Sequence, residues 1–343
     1  MNTNIVSPHL SESAAQNVEK ILGGWSFDSI VTDIVSGKFS PDSQGLINRI
    51  IALFLGELKS AFALVGSIGA LILIGAFINN LHQSFEKSTI SEATGFALFV
   101  YIAAISATVF QTAGGYVIDT LRDITLLVHS IIPAMATLCI SGGEMVTATL
   151  SHPVIFFICS AAGTLIKNVI TPLVLLRAVC TLLCAITANG SLNEFAELFS
   201  RLHKTLLTLS MSLFAGILGI SSFAAASFDS LAARGVKFAI SSAVPVVGGS
   251  ISEAMSSVAG SAMLLKNAVG LGGVIVLFAM FAMPLLKIWA LSLSLRLTAA
   301  FTAPVSEKRV TEVLRKLGDC IDMLFSSIAC MGTIMIIAIA SIL

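Results

Sequence analysis

Long apolar runs alternate with short polar segments along most of the chain, and their lengths set the first expectation. Runs at about 60–81, 95–118, 124–140, 205–222, 269–295 and 320–343 come near the ~20 residues that cover the hydrocarbon core of a bilayer. A short polar turn is expected around Asp119, Arg122 and Asp123, a kink at Pro133, and a loop at Ser141-Gly-Gly-Glu144. The stretch from His152 to Ala188 is too long for one ordinary span and is interrupted by Lys167-Asn168 and Pro172. It reads as a short helix to about Ile166 and a full one from about Val169, a broken or re-entrant arrangement. Such backbone is tolerated at depth only where protein or water covers it. The pattern therefore predicts an all-α polytopic transmembrane bundle of about seven to eight spans. The ~10-residue alternating segments of a transmembrane barrel are not found.

Two stretches depart from this rhythm. Residues 1–45 are polar with scattered hydrophobes, and Ser11 to Leu22 fits a short amphipathic helix closed at Gly23-Gly24. The second stretch, 223–268, is rich in Ser, Ala and Gly. A helical pattern begins near Phe228 and runs through Lys237 and Ser241, and Pro245 and Gly248-Gly249 break it. Ser250 with Glu253 three residues on makes a capping box for a second helix, Ile251 to about Leu265. That helix carries Ala254, Ser257, Gly260 and Ser261 on one face and leads into Lys266-Asn267. A helical hairpin results. Its small face either packs on the bundle or borders the mouth of a conduit.

Composition sharpens the class. The chain is 56% hydrophobic and only 11% charged, against about 25% charged residues in a soluble domain. Net charge is zero and the basic residues are scattered, so no nucleic-acid partner is indicated. Loop Thr302 to Asp319 holds Lys308, Arg309, Arg315 and Lys316, which makes it cytoplasmic by the positive-inside rule. Alternation then puts the hairpin outside, Arg201 and Lys204 inside, Lys87 inside and the acidic N-terminal tail outside. The turn at 119–123 falls outside and loop 141–144 inside on that count. No cleavable signal is evident after Met1.

Candidate chemistry is sparse. There is no zinc-binding His-Glu-x-x-His, nucleophile elbow or phosphate loop, so no enzyme activity, cofactor or metal is expected. The cysteines (Cys139, Cys159, Cys180, Cys184, Cys320 and Cys330) and the five histidines lack metal-ligand company at useful spacing. Leu317-Gly318-Asp319 has only a faint likeness to an intramembrane aspartyl protease motif. Charges within apolar runs are costly and usually face a bundle interior or water. Lys167, Arg177 and Lys287 are the candidates for that role, as conduit lining or as anchors and internal pairs, while Arg296 reads as a snorkelling anchor at the cytoplasmic end.

Lys237-Phe-Ala-Ile-Ser241 followed by Val244-Pro-Val-Val-Gly-Gly-Ser-Ile-Ser-Glu-Ala-Met255 resembles the signature of the stage III sporulation protein AE family of endospore-forming Firmicutes. Asp229 ahead of it, Leu264-Leu-Lys-Asn-Ala-Val-Gly270 after it, and Pro284-Leu-Leu-Lys-Ile288 in the next span support the resemblance, which covers roughly 45–343. Members usually begin with a signal peptide. The resemblance implies a polytopic component of a mother-cell complex in the membrane around the forespore. Its implied partners are a secretion-type ATPase, small membrane proteins, ring-forming proteins and a forespore protein across the gap, and self-assembly is compatible with it. It implies a specialised secretion channel and brings no catalytic residues. A stand-alone secondary transporter with a site at its broken helices and a pore-less scaffold are the alternatives.

Overall fold

The computed structural model describes residues 21–23, 27–38, 43–84, 89–187, 191–243 and 248–343. Its elements are α1 (Phe27–Val35), α2 (Ser43–Ser84), α3 (Thr89–Ser141), α4 (His152–Leu165), α5 (Thr171–Thr187), α6 (Ser191–Ala243), α7 (Gly248–Thr302) and α8 (Lys308–Ala340). Two π-helical segments, Thr147–Ser151 and Ile166–Ile170, flank α4. The all-helical transmembrane bundle expected from the sequence is present among the described residues, with six stretches there long and apolar enough to cross a membrane.

That number falls below seven or eight because expected boundaries vanish. Asp119 to Asp123 form no turn and lie within the single helix α3. No glycine or proline interrupts them, and Leu121 and Ile124 are buried while Asp119 and Arg122 are exposed, so one helical register satisfies both needs. The interruption at Lys167-Asn168 and Pro172 is likewise not a break. Thr147 to Thr187 runs on as one apolar stretch, and the second π segment absorbs the irregularity. There the Ile166 carbonyl accepts both the Thr171 amide, in the π pattern, and Thr171 Oγ1 at 2.9 Å.

α7 and α8 form the centre, each more than half buried over its most apolar window, and α3 packs on both. α2 and α6 are the least buried of the long helices and expose large apolar side chains such as Phe62, Phe77, Leu213 and Ile220. Burial of this pattern is that of a bundle solvated by lipid. α1, in the tail expected to be polar, lays Phe27, Ile30 and Val31 against Gly272 of α7. Ile21 and Leu22 are helical and Gly23 follows at φ 66°, where the sequence placed a helix end.

Side-chain contacts sort the loops to two ends. Lys316 Nζ donates to Asn193 Oδ1 at 2.6 Å, so the basic loop and the start of α6 share one end. At the other end Leu343 lies against Gly270, Met263 against Gly142, and α1 against Gly272. Loop 141–144 therefore shares the end of the hairpin, opposite to the side expected, because the stretch from Thr147 to Thr187 crosses once where two crossings were expected. The hairpin proves to be the ends of α6 and α7. From Lys266 to Gly248, α7 continues for about 27 Å at 1.5 Å per residue. α7 begins at Gly248, so Gly248 and Gly249 form its start and Ser250, the expected cap, lies two residues further in. Pro245 lies outside the described residues.

Candidate functional site

A helix start needs partners for its first amide groups, and the stretch beginning at Met145 takes them from across the bundle. Gly143, at φ 85°, turns the chain out of α3 in a conformation side chains resist, and the Glu144 amide donates back to the Cys139 carbonyl at 2.8 Å. The amides of Val146 and Thr147 then donate to the two carboxylate oxygens of Asp229 on α6, at 2.7 and 2.8 Å. A buried carboxylate at a helix N-terminus meets both the unpaired donors and the positive end of the helix dipole.

Beside it Lys266 Nζ of α7 donates to Glu144 Oε2 at 2.8 Å, with the lysine side chain 5% and the glutamate 19% exposed. His152 Nδ1 lies 3.1 Å from the Thr147 carbonyl. Asp229 and Lys266, both inside the region that resembles the sporulation family, thus grip one five-residue turn from two helices. What the turn offers chemically is rigidity: two charges neutralised and two amides capped where α6 and α7 leave the bundle.

A second cluster lies near the basic end, within α5, α7 and α8. Asp319 and Asp322, one helical turn apart on α8, both accept from Arg296 of α7, Asp319 at 2.7 Å. Asp322 also accepts from Ser292 Oγ, and Asp319 lies 4.0 Å from Arg177 of α5. Arg177 Nη1 also donates to Met323 Sδ, while its buried Nε has no partner among the described residues. A Cβ on Gly318 would stand 3.0 Å from Arg296 Cγ, so the missing side chain lets the arginine lie across α8. Gly318→Leu is expected to displace Arg296 and cost about 1–3 kcal/mol, the range for an overpacked contact. Thermal unfolding in detergent would check it, and an unchanged midpoint would count against the close approach.

The residues singled out by sequence divide accordingly. Lys266 and Arg177 enter the two clusters, and Arg296 is an internal partner of two aspartates as well as half-exposed. Lys287 lies over the Tyr116 ring at 5.2 Å. Lys167 is exposed on the second π segment. Glu253, Gly260 and Asn267 are exposed along α7, and nothing comes within 4 Å of a Cβ built on Gly260. Lys237 and Ser241 lie in α6, and of their side chains nothing is described. Asp319 and Asp322 were missed, although their i, i+3 spacing where the helix turns from charged to apolar was a signal for a cationic partner. No group of three metal-ligating side chains is found among the described residues.

Comparison with known proteins agrees with the sequence resemblance. The chain is 24% identical over 311 residues to the stage III sporulation protein AE of Bacillus subtilis (strain 168), covering 91% of this chain and 78% of that protein. No solved structure matches. Residues 25–343 match the family described as stage III sporulation protein AE, and with nearly the whole chain matched, this protein belongs to that family.

Proposed function

We propose that the protein is a non-enzymatic membrane component of a channel or secretion complex between mother cell and forespore, acting as its permease or export-gate-like core through assembly with further copies and with other stage III membrane proteins. The membrane around the forespore is its place in this reading. The observation that carries it is the open small-residue face of α7. Ser257, Gly260 and Ser261 are exposed on an arm that runs past the bundle end, so among the described residues nothing covers this close-approach surface. Small residues in such rows let helices approach closely.

The rigid turn gripped by Asp229 and Lys266 supports the same reading, because it fixes where the two arms emerge. In this reading the basic loop at the opposite end is cytoplasmic and the arms lie on the other side, where the ring-forming proteins would meet them. The transporter alternative loses its motive. It needed broken helices at mid-depth, whereas 147–187 is continuous and the charges of Arg177 and Arg296 are opposed by Asp319 and Asp322.

Single cysteines at Ser257, Gly260 and Ser261, and at Ser256 and Val258 on the flanks, test the proposal in sporulating cells with a membrane-impermeant thiol reagent. Labelling of all five in the isolated chain is expected. In the assembled complex a neighbouring helix on the small face should block labelling of Ser257, Gly260 and Ser261, while a conduit leaves the flanking positions reactive. Protection of every position in the complex would favour the pore-less scaffold.

A further inference from the structure

The outward face of α3 and α4 is polar where lipid calls for apolar side chains. Along α3 the row Thr108, Thr112, Gly115, Asp119 and Arg122 recurs at helical spacing, and every member is exposed. A Cβ on Gly115 would meet nothing within 4 Å, so the row is open. Alongside it Thr164 near the end of α4 and Lys167 and Asn168 on the second π segment are exposed as well. His129 Nε2 lies 3.0 Å from Ser160 Oγ, and a Cβ on Gly163 would stand 3.3 Å from Thr125 Oγ1. The two helices therefore run antiparallel, and four residues further on Lys167 is level with Leu121, between Asp119 and Arg122.

Depth makes these charges costly. Lys167 is the central residue of the apolar stretch Thr147–Thr187, and Asp119 and Arg122 flank the centre of the stretch Phe99–Ser141. About 30 Å of helix extends to either side of them. A hydrocarbon core of ~30 Å centred there sets the charges in lipid, where they are unfavourable unless paired or watered. A core moved to put them at its edge strands the apolar side chains of the other half. Those are Phe156 and Phe157 towards one end, or Leu175 and Val179 towards the other, all exposed. Either placement leaves this face in need of a protein cover. Among the described residues none of Asp119, Arg122 and Lys167 has an ion-pair partner.

We propose that the cover is a second copy of this chain, with Lys167 of each copy opposite Asp119 of the other. Level and charge select this partner. Copies inserted in the same sense are related by an axis along the membrane normal, so only groups at one height meet, and Asp119 and Lys167 share theirs. Acid and base stand side by side on the face, so a half-turn sets each against its opposite on the second copy. Thr108, Thr112 and Gly115 let the two backbones approach. The proposal rests on the assembly of copies proposed above and gives it a contact at membrane depth, separate from the α7 arms.

Self-association of the full chain tests this, with donor- and acceptor-labelled protein in phosphatidylglycerol–phosphatidylcholine vesicles over a range of protein-to-lipid ratios. Asp119→Lys and Lys167→Asp, each alone, set like charges against each other and should weaken association at least tenfold. Mixed, the two variants form one pair in which both contacts are again of opposite sign, and association should return to within threefold of the parent. Recovery in the mixture also shows that both variants fold, and a pairing inside one chain does not produce it. Weakening without recovery in the mixture overturns the proposal. Reversal variants that associate as tightly as the parent overturn this contact alone, whereas a parent that is monomeric at every ratio counts against the assembly of copies as well. A photo-crosslinker at Thr112 that captures a different protein in sporulating cells, and no second copy, also overturns it.

Discussion

Asp229→Ala is expected to destabilise the protein by about 3–5 kcal/mol, among the largest effects of any single substitution here. The carboxylate accepts from two amides, those of Val146 and Thr147, at 2.7 and 2.8 Å. Hydrogen bonds to a charged group contribute about 1.5–3 kcal/mol each, and the Thr147 contact is buried, so water does not readily replace the lost acceptor. The helix dipole adds to the loss. Asp229→Asn keeps one acceptor oxygen and places an NH₂ against the second amide, so it should recover less than half. Unfolding in a graded detergent mixture, followed by tryptophan fluorescence, provides the measurement. An alanine variant as stable as the parent would mean that Asp229 does not hold the turn. The same variant should also loosen the arms, seen as faster hydrogen exchange in residues 230–243.

Removing Lys266 should be nearly as damaging. Lys266→Ala leaves Glu144 facing α7 without its cation, and breaking one side of a buried pair costs about 3–5 kcal/mol. The glutamate side chain keeps 19% exposure, so water relieves part of this and about 2–4 kcal/mol is the expected loss. The diagnostic comparison is the double variant Lys266→Met with Glu144→Leu. Replacing a whole buried pair by apolar groups is often neutral, so the double variant should be closer to the parent than Lys266→Ala. If the double variant is instead worse than Lys266→Ala, the pair is not the source of the effect. Should stability return in the double variant while sporulation does not, the charges serve assembly as well as folding.

How much of this was legible without coordinates depends on the range over which each feature acts. Apolar run length is local, and it was enough for an all-helical membrane bundle. It misplaced boundaries wherever polar residues had a tertiary solution. Asp119, Arg122 and Asp123 looked like a turn because charges are unwelcome in hydrocarbon, yet one helical face exposes Asp119 and Arg122 while Leu121 and Ile124 are buried. Pro172 with Lys167 looked like a break, and a π segment with the Thr171 hydroxyl bond accommodates both. Arg296 looked like an anchor because its partners, Asp319 and Asp322, lie 23 and 26 residues away on another helix.

The sequence by itself determined the solvent class, the helical content, the basic end of the bundle and, through the residues around 229–288, the family. These follow from side-chain hydropathy and from short motifs, which need no knowledge of neighbours. Only the tertiary structure decided that six long helices carry the apolar runs, that loop 141–144 shares an end with the hairpin, and that Asp229 and Lys266 meet there. Those facts depend on pairings such as Lys266 with Glu144, 122 residues apart, and one-dimensional periodicity says which face of a helix is buried but not what buries it.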